Sequence, residues 1–241
     1  MSATAATTRT RRPPRLSVAG VLVILSVTIY VVAALATGAA SQLGFDGVIG
    51  LLQRMVALGF VALGQTFVIL VASIDLSVAA LVSAVAVSAS FIMQGDPAMI
   101  ARAIAACLAG CALVGLLNGA LVAYLGVNPL IVTLGTGLIV QGVLAAAFTY
   151  LKGSVAPQFQ VFAYGGLFGI PVALLLLAAL AAAASLALSR TVFGARLYAV
   201  GGNPDGARLA GIRTERFVVY AHVLSSLFAG VGGLYLAARL Q

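Results

Sequence analysis

Seven separate apolar runs constrain this chain more than any other feature. About twenty residues of helix, rising 1.5 Å per residue, match the roughly 30 Å hydrocarbon thickness of a bilayer. The runs lie at about 16–37, 55–72, 76–93, 99–125, 130–150, 171–189 and 217–238. They predict an all-α membrane protein, a polytopic transmembrane helix bundle of about seven spans.

The composition agrees with a lipid environment. Hydrophobic residues make up 63% of the chain and charged residues only 7%, whereas about a quarter of the residues of an ordinary soluble domain are charged. Glycine is abundant, and small residues allow close helix packing in lipid. Cys107 and Cys111 lie four residues apart in one apolar run, without the further ligands that a metal site needs. We predict that they are packing residues.

The basic residues are concentrated in two segments. Of thirteen lysines and arginines, nine lie in residues 9–15 and 190–216, and both segments flank apolar runs as cytoplasmic segments do. The net charge of +8 therefore indicates topology and not nucleic-acid binding. We predict a disordered, basic cytoplasmic tail at residues 1–15 and a transmembrane domain at 16–241. The segment 151–170 is then external, and its aromatic side chains suit the membrane interface.

The second basic segment contains the signals of a short helix. Asn203 suits the N-cap, Pro204 the first helical position, and Asp205 the positive end of the helix dipole. Gly211 suits the left-handed residue that ends the helix. The pattern predicts a helix of about two turns that fits the groove of a partner. The alternative is an ordinary loop whose charges only set the topology.

One carboxylate lies between two apolar runs. Asp75 has no basic residue beside it, so its burial would be costly. Two interpretations stay open at this point. Either a helix breaks inside the membrane and Asp75 marks a pathway or a structural pin, or a short cytoplasmic turn lets Asp75 and Ser77 cap the next span.

Other polar positions lie within the apolar runs. Asn118 lies between Gly115 and Gly119, whose spacing predicts a close helix crossing. We expect Asn118 to form hydrogen bonds between helices, with a direct substrate contact as the alternative, and we expect an interfacial or packing role for His222. The candidates for a translocation path are Asp75, Ser77, Asn118, Asn128, Pro129, Thr133 and Thr136.

No motif for chemical catalysis is present in the sequence. It contains no phosphate-binding loop of the Gly-x-x-x-x-Gly-Lys type, and Lys152, its one lysine, lies in the predicted external segment. It also lacks a nucleophile-elbow serine and a zinc-binding histidine pair. We therefore predict that the chain is not an enzyme and has no cofactor of its own.

Four segments carry a resemblance to a known family. Gly64–Val78, Gly115–Gly119, Val127–Thr136 and Phe193–Pro204 resemble, in the same order, the permease subunits of bacterial ribose-type sugar ABC importers. The resemblance covers the chain from about residue 45 to the end. It implies an inner-membrane protein, a second permease copy as a homo- or heterodimer partner, cytoplasmic ATPases that bind the ATP, and a periplasmic or lipid-anchored solute-binding protein.

The resemblance also implies a role for residues 190–216. In this family the corresponding loop holds the short helix that couples the permease to its ATPase. The coupling-loop residues so implied are Gly194, Arg196, Gly201, Gly202, Asn203, Pro204, Ala207, Arg208 and Gly211. Membrane lipid completes the predicted partners.

Two departures from the family pattern bear on function. Ala72 and Ser73 stand where family members usually have glycines, and family members continue with further helices after the seventh span. We therefore expect a fragment or a shortened version of a permease. The predicted function is translocation of a small polar solute, with a monosaccharide first; the alternatives are an ion-gradient-driven secondary transporter and a shortened, non-transporting membrane protein.

Overall fold

The computed structural model of this chain describes residues 17–148 and 153–240. The predicted tail at 1–15 lies outside the described residues. The same holds for the predicted first residue of the first span, Leu16, for the predicted last residue of the fifth, Tyr150, and for Lys152.

Long helices dominate the described part of the chain. In order they are α1 (Val18–Ala36), α2 (Phe45–Leu70), α3 (Val78–Met93), α4 (Ile100–Leu125), α5 (Pro129–Phe148), α6 (Val161–Tyr164), α7 (Val172–Arg190), α8 (Val192–Gly202), α9 (Pro204–Leu209) and α10 (Thr214–Leu240). Six helices in the described part are long and apolar enough to cross a membrane, and α3 is a shorter apolar helix. The prediction of an all-α bundle of about seven spans is confirmed.

Two helices begin earlier in the chain than the apolar runs from which their spans were predicted. Helix α2 begins at Phe45 and not near residue 55, and α10 begins at Thr214 and not at Phe217. Polar residues interrupt each apolar run at that point, including Arg54 in α2. A helix satisfies its own backbone hydrogen bonds whatever its side chains are, and long basic side chains can reach the interface. The helices therefore extend beyond their apolar runs.

The chain divides into two compact units, residues up to Gly50 and residues from Leu51 onward. In the first unit, the Ser17 side chain accepts a hydrogen bond from the Gly20 N–H and so caps α1. A 3₁₀-helix, Ala40–Leu43, follows α1 and is tied to it by the Tyr30 hydroxyl, which donates to the Gln42 carbonyl over 2.8 Å.

Helix α10 is the central helix of the second unit. It packs mainly against α4 and α3. In the 18-residue apolar stretch of α10, 61% is buried, whereas the corresponding share for α7 is 6%. Glycines allow the close approach, because a Cβ added at Gly115 or Gly119 would lie 2.7 Å from a Cα atom of α10. The predicted close crossing is confirmed. Cys107 and Cys111 are buried as free thiols, as expected for packing residues.

The segment before α7 folds back onto the bundle. It contains a 3₁₀-helix, Pro157–Gln160, then α6, then a hairpin that pairs β1 (Gly166–Leu167) with β2 (Ile170–Pro171). Some of its aromatic side chains pack inside the protein and not at the membrane interface, where they were predicted. Phe159 is buried, and Phe162 packs edge-on against Tyr235, with ring centroids 5.9 Å apart.

Candidate functional site

The segment that joins helices α2 and α3 is partly buried: its polar side chains Ser73, Asp75 and Ser77 are inside the bundle, whereas Ile74 and Leu76 are exposed. Helix α2 ends at Leu70, and Ala72 then takes a left-handed backbone conformation with φ of 56°. Asp75 and Ser77 are completely buried. The segment contacts α10 through His222, which lies eight residues, or about 12 Å, along that helix from Thr214. Residues 71–77 therefore form a break between α2 and α3 whose polar side chains face the interior of the bundle.

Hydrogen bonds hold Asp75 in this break. Its Oδ1 accepts from the Ser77 N–H at 3.0 Å and from the Ser77 hydroxyl at 2.5 Å. Its backbone carbonyl accepts from the Gln65 amide of α2, and the N–H of Leu76 donates to Thr133 Oγ1 at 3.0 Å. Asp75 thus holds Ser77, the residue that precedes α3, whereas the Ser77 side chain itself forms no capping bond to α3.

Asn118 connects three helices. Its Nδ2 donates to Ser77 Oγ at 3.1 Å, and its Oδ1 accepts from the Thr136 hydroxyl of α5 at 2.7 Å. Asn118 itself is on α4 and is completely buried. The expected inter-helix bonds of Asn118 are therefore present, and the structure brings five of the seven path candidates into one cluster: Asp75, Ser77, Asn118, Thr133 and Thr136.

Asn128 and Pro129 lie at the start of α5, at the edge of this cluster, where the Pro129 carbonyl accepts a hydrogen bond from the Thr133 hydroxyl at 2.8 Å. The Asn128 carboxamide oxygen accepts from the Leu130 N–H at 2.9 Å and so caps the helix, and its side chain is exposed. Pro129 is the first residue of α5, where a missing N–H has no cost. The two residues shape the entry to α5.

Sequence reasoning gave little weight to two further members of the cluster. His222 and Ser73 are buried, and His222 Nε2 lies 3.0 Å from Ser73 Oγ. Of the interfacial or packing role expected for His222, the burial of its side chain agrees with packing. In the sequence, Ser73 was visible only as a serine near Asp75, and His222 only as a polar residue near the start of an apolar run. Neither position indicates that the two side chains meet.

Several polar atoms in this region have no hydrogen-bond partner among the described residues. They are Asp75 Oδ2, His222 Nδ1, Ser225 Oγ and Ser226 Oγ. Unpaired polar atoms are costly in a dry interior, at about 1–3 kcal/mol each. These atoms leave the region with unused hydrogen-bonding capacity, which water or a ligand with hydroxyl groups could satisfy.

The second candidate region is the segment between α7 and α10. The predicted short helix is present as α9: the Asn203 side chain accepts from the Gly206 N–H at 2.9 Å, Pro204 is its first residue, and Gly211 has a φ of 78°. An additional helix, α8, precedes it and was not predicted. Its N-cap is Thr191, whose hydroxyl accepts from the Gly194 N–H.

The predicted coupling-loop residues divide by exposure. Gly194 and Ala207 are buried and Gly201 is half-buried, whereas the exposed members are Arg196, Gly202, Asn203, Pro204, Arg208 and Gly211. Arg208 is not a free cation, because it pairs with Asp205 at 3.3 Å and with Glu215 at 3.2 Å. It therefore ties α9 to the start of α10.

Leu209 was missed by the sequence reasoning. Its side chain is 91% exposed at the end of α9, in a segment with several arginines. A single exposed leucine is common on protein surfaces, so Leu209 is a candidate contact because of its place at the end of α9 and not because of its exposure alone. The signal in the sequence was a single leucine among charged and small residues, which is too common to be decisive.

Helix α8 contacts the start of the break between α2 and α3. A Cβ added at Gly201 would collide with the carbonyl oxygen of Leu70, the last residue of α2, and would lie 3.2 Å from the Cα of Val71. Leu197 and Val200 of α8 are buried in the same apolar cluster as Val71. The exposed α9, the helix α8 and the Asp75 segment are therefore joined by direct packing.

Comparison with known proteins identifies the class to which this bundle belongs. A family model described as the permease component of the branched-chain amino acid transport system matches residues 47–241. The chain belongs to this permease family. No solved structure matches the chain.

Several curated relatives of the chain carry the names of sugar permeases. The chain is 33% identical over 182 residues to the D-allose transport system permease protein of Escherichia coli, covering 75% of this chain and 56% of that protein. It is 32% identical over 225 residues to the L-arabinose transport system permease protein of the same organism, covering 92% and 66%. With the ribose import permease protein of Bacillus subtilis it shares 32% identity over 202 residues, covering 80% and 61%. The chain thus spans about three fifths of the length of these relatives.

Proposed function

We propose that this chain forms transmembrane helices of an ATP-driven importer that carries a small polar solute across the bacterial inner membrane. Membership of a permease family and the polytopic bundle support this proposal. A monosaccharide is the leading solute class, because the names of the relatives give D-allose, L-arabinose and ribose. The energy comes from ATPase subunits that bind on the cytoplasmic side.

The observation that carries the proposal is the packing of α8 against the break between α2 and α3. In an importer, ATP binding by the partner must change the conformation of the membrane domain. Gly201 of α8 lies against Leu70, within a few residues of Asp75. If an ATPase displaces the α8–α9 segment, the contact between Gly201 and Leu70 therefore transmits the movement to the buried polar cluster, which lies only a few residues away along the chain.

The ATPase docks on the exposed face of α9. Leu209 supplies the apolar contact, and the capped Asn203 and the Arg208 ion pairs keep the helix in position. With α9 on the cytoplasmic side, the N-terminus of the chain is cytoplasmic too. A second permease copy and an external solute-binding protein complete the importer.

The buried polar cluster controls the translocation path. Asp75, Ser77, Asn118 and Thr133 are completely buried, as a closed path through these residues would require. Separation of α3, α4 and α5 would expose hydroxyl and amide groups to a sugar. These groups are well suited to hydrogen-bond the hydroxyls of a solute.

The first experiment is co-purification of this chain, in detergent, with the ATPase produced by the same cell. Leu209→Ser removes the exposed apolar contact without breaking an internal hydrogen bond, and we expect it to abolish capture of the ATPase. The control is Phe168→Ser, which removes an apolar side chain that is 94% exposed. Phe168 lies beyond the other end of α7, a helix about 28 Å long.

A charge reversal gives an independent test of the same surface. Arg208→Glu places a third carboxylate beside Asp205 and Glu215, so we expect it to displace α9 and to weaken capture. Arg102→Glu makes the same change in charge near the start of α4 and is expected to have no effect on capture. Equal capture by the native chain and by both α9 variants would refute docking on α9.

A further inference from the structure

A basic cavity opens beside the start of α10. It has a volume of about 300 Å³, and its lining includes Arg196 of α8 and Arg213 and Arg216 at the start of α10. The aromatic rings of Phe217 and Tyr220 also line the cavity. The docking of α9 and the buried polar cluster do not use these side chains.

The arrangement of the α10 residues follows from helical spacing. Arg213, Arg216, Phe217 and Tyr220 lie at relative positions 0, 3, 4 and 7, so their side chains share one face of the chain around the first turns of α10. The Phe217 ring lies 5.8 Å from the ring of Phe193 on α8 and 5.9 Å from the ring of Tyr220. These ring contacts fix α8 against α10 and so hold the three arginines around one concavity.

The three arginines differ from Arg208 in their charge environment. Arg208 pairs with two carboxylates, whereas within residues 17–148 and 153–240 no acidic side chain forms an ion pair with Arg196, Arg213 or Arg216. Three guanidinium groups around one small cavity repel one another unless an anion lies between them. Guanidinium groups bind phosphate oxygens in pairs, so a phosphate is the matching anion.

The position of the cavity indicates where the phosphate comes from. Arg216 lies in the first turn of a membrane-spanning helix, and Tyr220, one turn further along, is 47% exposed. Tyrosines with an exposed ring at the end of a span lie at the level of lipid headgroups. Basic pockets between transmembrane helices at this level are typical binding sites for anionic headgroups.

We propose that Arg196, Arg213 and Arg216 form a binding site for the phosphate headgroup of an anionic phospholipid, with Tyr220 against the glycerol region. The bound lipid would fix the joint between α8 and α10. The site therefore stabilises the α8–α9 segment at the membrane surface. The proposal depends on the span assignment of α10 and does not depend on the identity of the solute.

The test is native mass spectrometry of the full chain in detergent, titrated separately with phosphatidylglycerol and with phosphatidylcholine of the same acyl chains. We expect the native chain to prefer phosphatidylglycerol. Each basic residue near an anionic headgroup contributes about fivefold, so the double variant Arg213→Gln, Arg216→Gln is expected to lose about twenty-five-fold of that preference. Arg102→Gln, near the start of α4, is the control and should keep it.

The remaining outcomes separate the sources of the anion. Equal binding of both lipids by the native chain, or an unchanged preference in the double variant, would overturn the proposal. Glycerol 3-phosphate binding as tightly as phosphatidylglycerol would assign the cavity to a soluble phosphate. Loss of ATPase capture in the double variant, with the lipid preference intact, would assign the arginines to the partner protein. Each of these results is independent of whether the solute is a sugar.

Discussion

The contact between Gly201 and Leu70 offers the sharpest test of how the α8–α9 segment acts on the membrane domain. In Gly201→Ala, the new methyl group would collide with a backbone carbonyl oxygen at the end of α2. A backbone atom cannot rotate away as a side chain can, so α8 must move outward or α2 must lose its last turn. Either change separates the two elements that the proposed coupling requires to be in contact.

The size of the effect follows from two opposing contributions. Overpacking in a well-packed region costs about 1–3 kcal/mol, and exchange of glycine for alanine within a helix returns up to about 1 kcal/mol. Gly202 provides the matched control, because it is the next residue of the same helix and a Cβ there meets nothing within 4 Å. We expect net destabilisation in Gly201→Ala and an unchanged or slightly raised stability in Gly202→Ala.

The two buried thiols provide the assay. Cys107 and Cys111 are 6% and 2% exposed, so a maleimide dye that fluoresces on reaction with thiols reports their exposure as the chain unfolds on heating. A chain of this size shifts its midpoint by about 2–4 °C per kcal/mol. Gly201→Ala is therefore expected to unfold several degrees below the native chain.

A functional measurement completes this prediction. Leu209 and the cap of α9 are unchanged in Gly201→Ala, so capture of the ATPase should persist, while ATP hydrolysis stimulated by the solute and its binding protein should fall. A variant with native thermal stability and native stimulated hydrolysis would refute the packing contact and, with it, the coupling route through α8.

Two further predictions concern the interior of the bundle. Gly115→Ala should lower the same thermal midpoint, because its Cβ would lie 2.7 Å from backbone atoms of α10, at a cost of about 1–3 kcal/mol. The control is Gly110→Ala on the same helix, whose Cβ meets open space. An equal shift of the midpoint in both variants would contradict the close crossing. Asp75→Asn should fold normally because its carboxamide oxygen still accepts from Ser77, whereas Asp75→Leu leaves the Ser77 donors unpaired, at about 1–3 kcal/mol. In transport assays we expect reduced solute uptake for Asp75→Asn in spite of its native stability, and full uptake would show that Asp75 only caps α3.

Much of the fold was predictable from local patterns. The number of spans follows from runs of apolar residues, because a bilayer requires a minimum length of apolar helix whatever the neighbours are. Helix α9 was predictable for the same local reason, since Asn203 and Gly211 satisfy the helix ends through their own side chain and backbone. The first residues of α2 and α10 were not predictable from the apolar runs, because a helix continues through polar residues when its backbone hydrogen bonds remain satisfied.

The candidate site was only partly predictable. Asp75 and Asn118 were conspicuous as polar residues in apolar runs, but their partners are remote in the sequence: Asn118 bonds to Ser77 and Thr136, and the segment around Asp75 meets His222. Hydrogen-bond partners across helices depend on which helix faces pack together. No pattern along one helix contains that information.

The sequence by itself determined the membrane environment, the number of spans and the capped helix α9, because each depends on residues close together in the chain. The tertiary structure alone decided that α10 is the central helix, that Asp75 is buried and not exposed in a turn, and that Gly201 lies against Leu70. It also decided that Arg208 is paired while Arg196, Arg213 and Arg216 surround a cavity. These features depend on contacts between distant segments, and packing determines them only when the whole bundle has assembled.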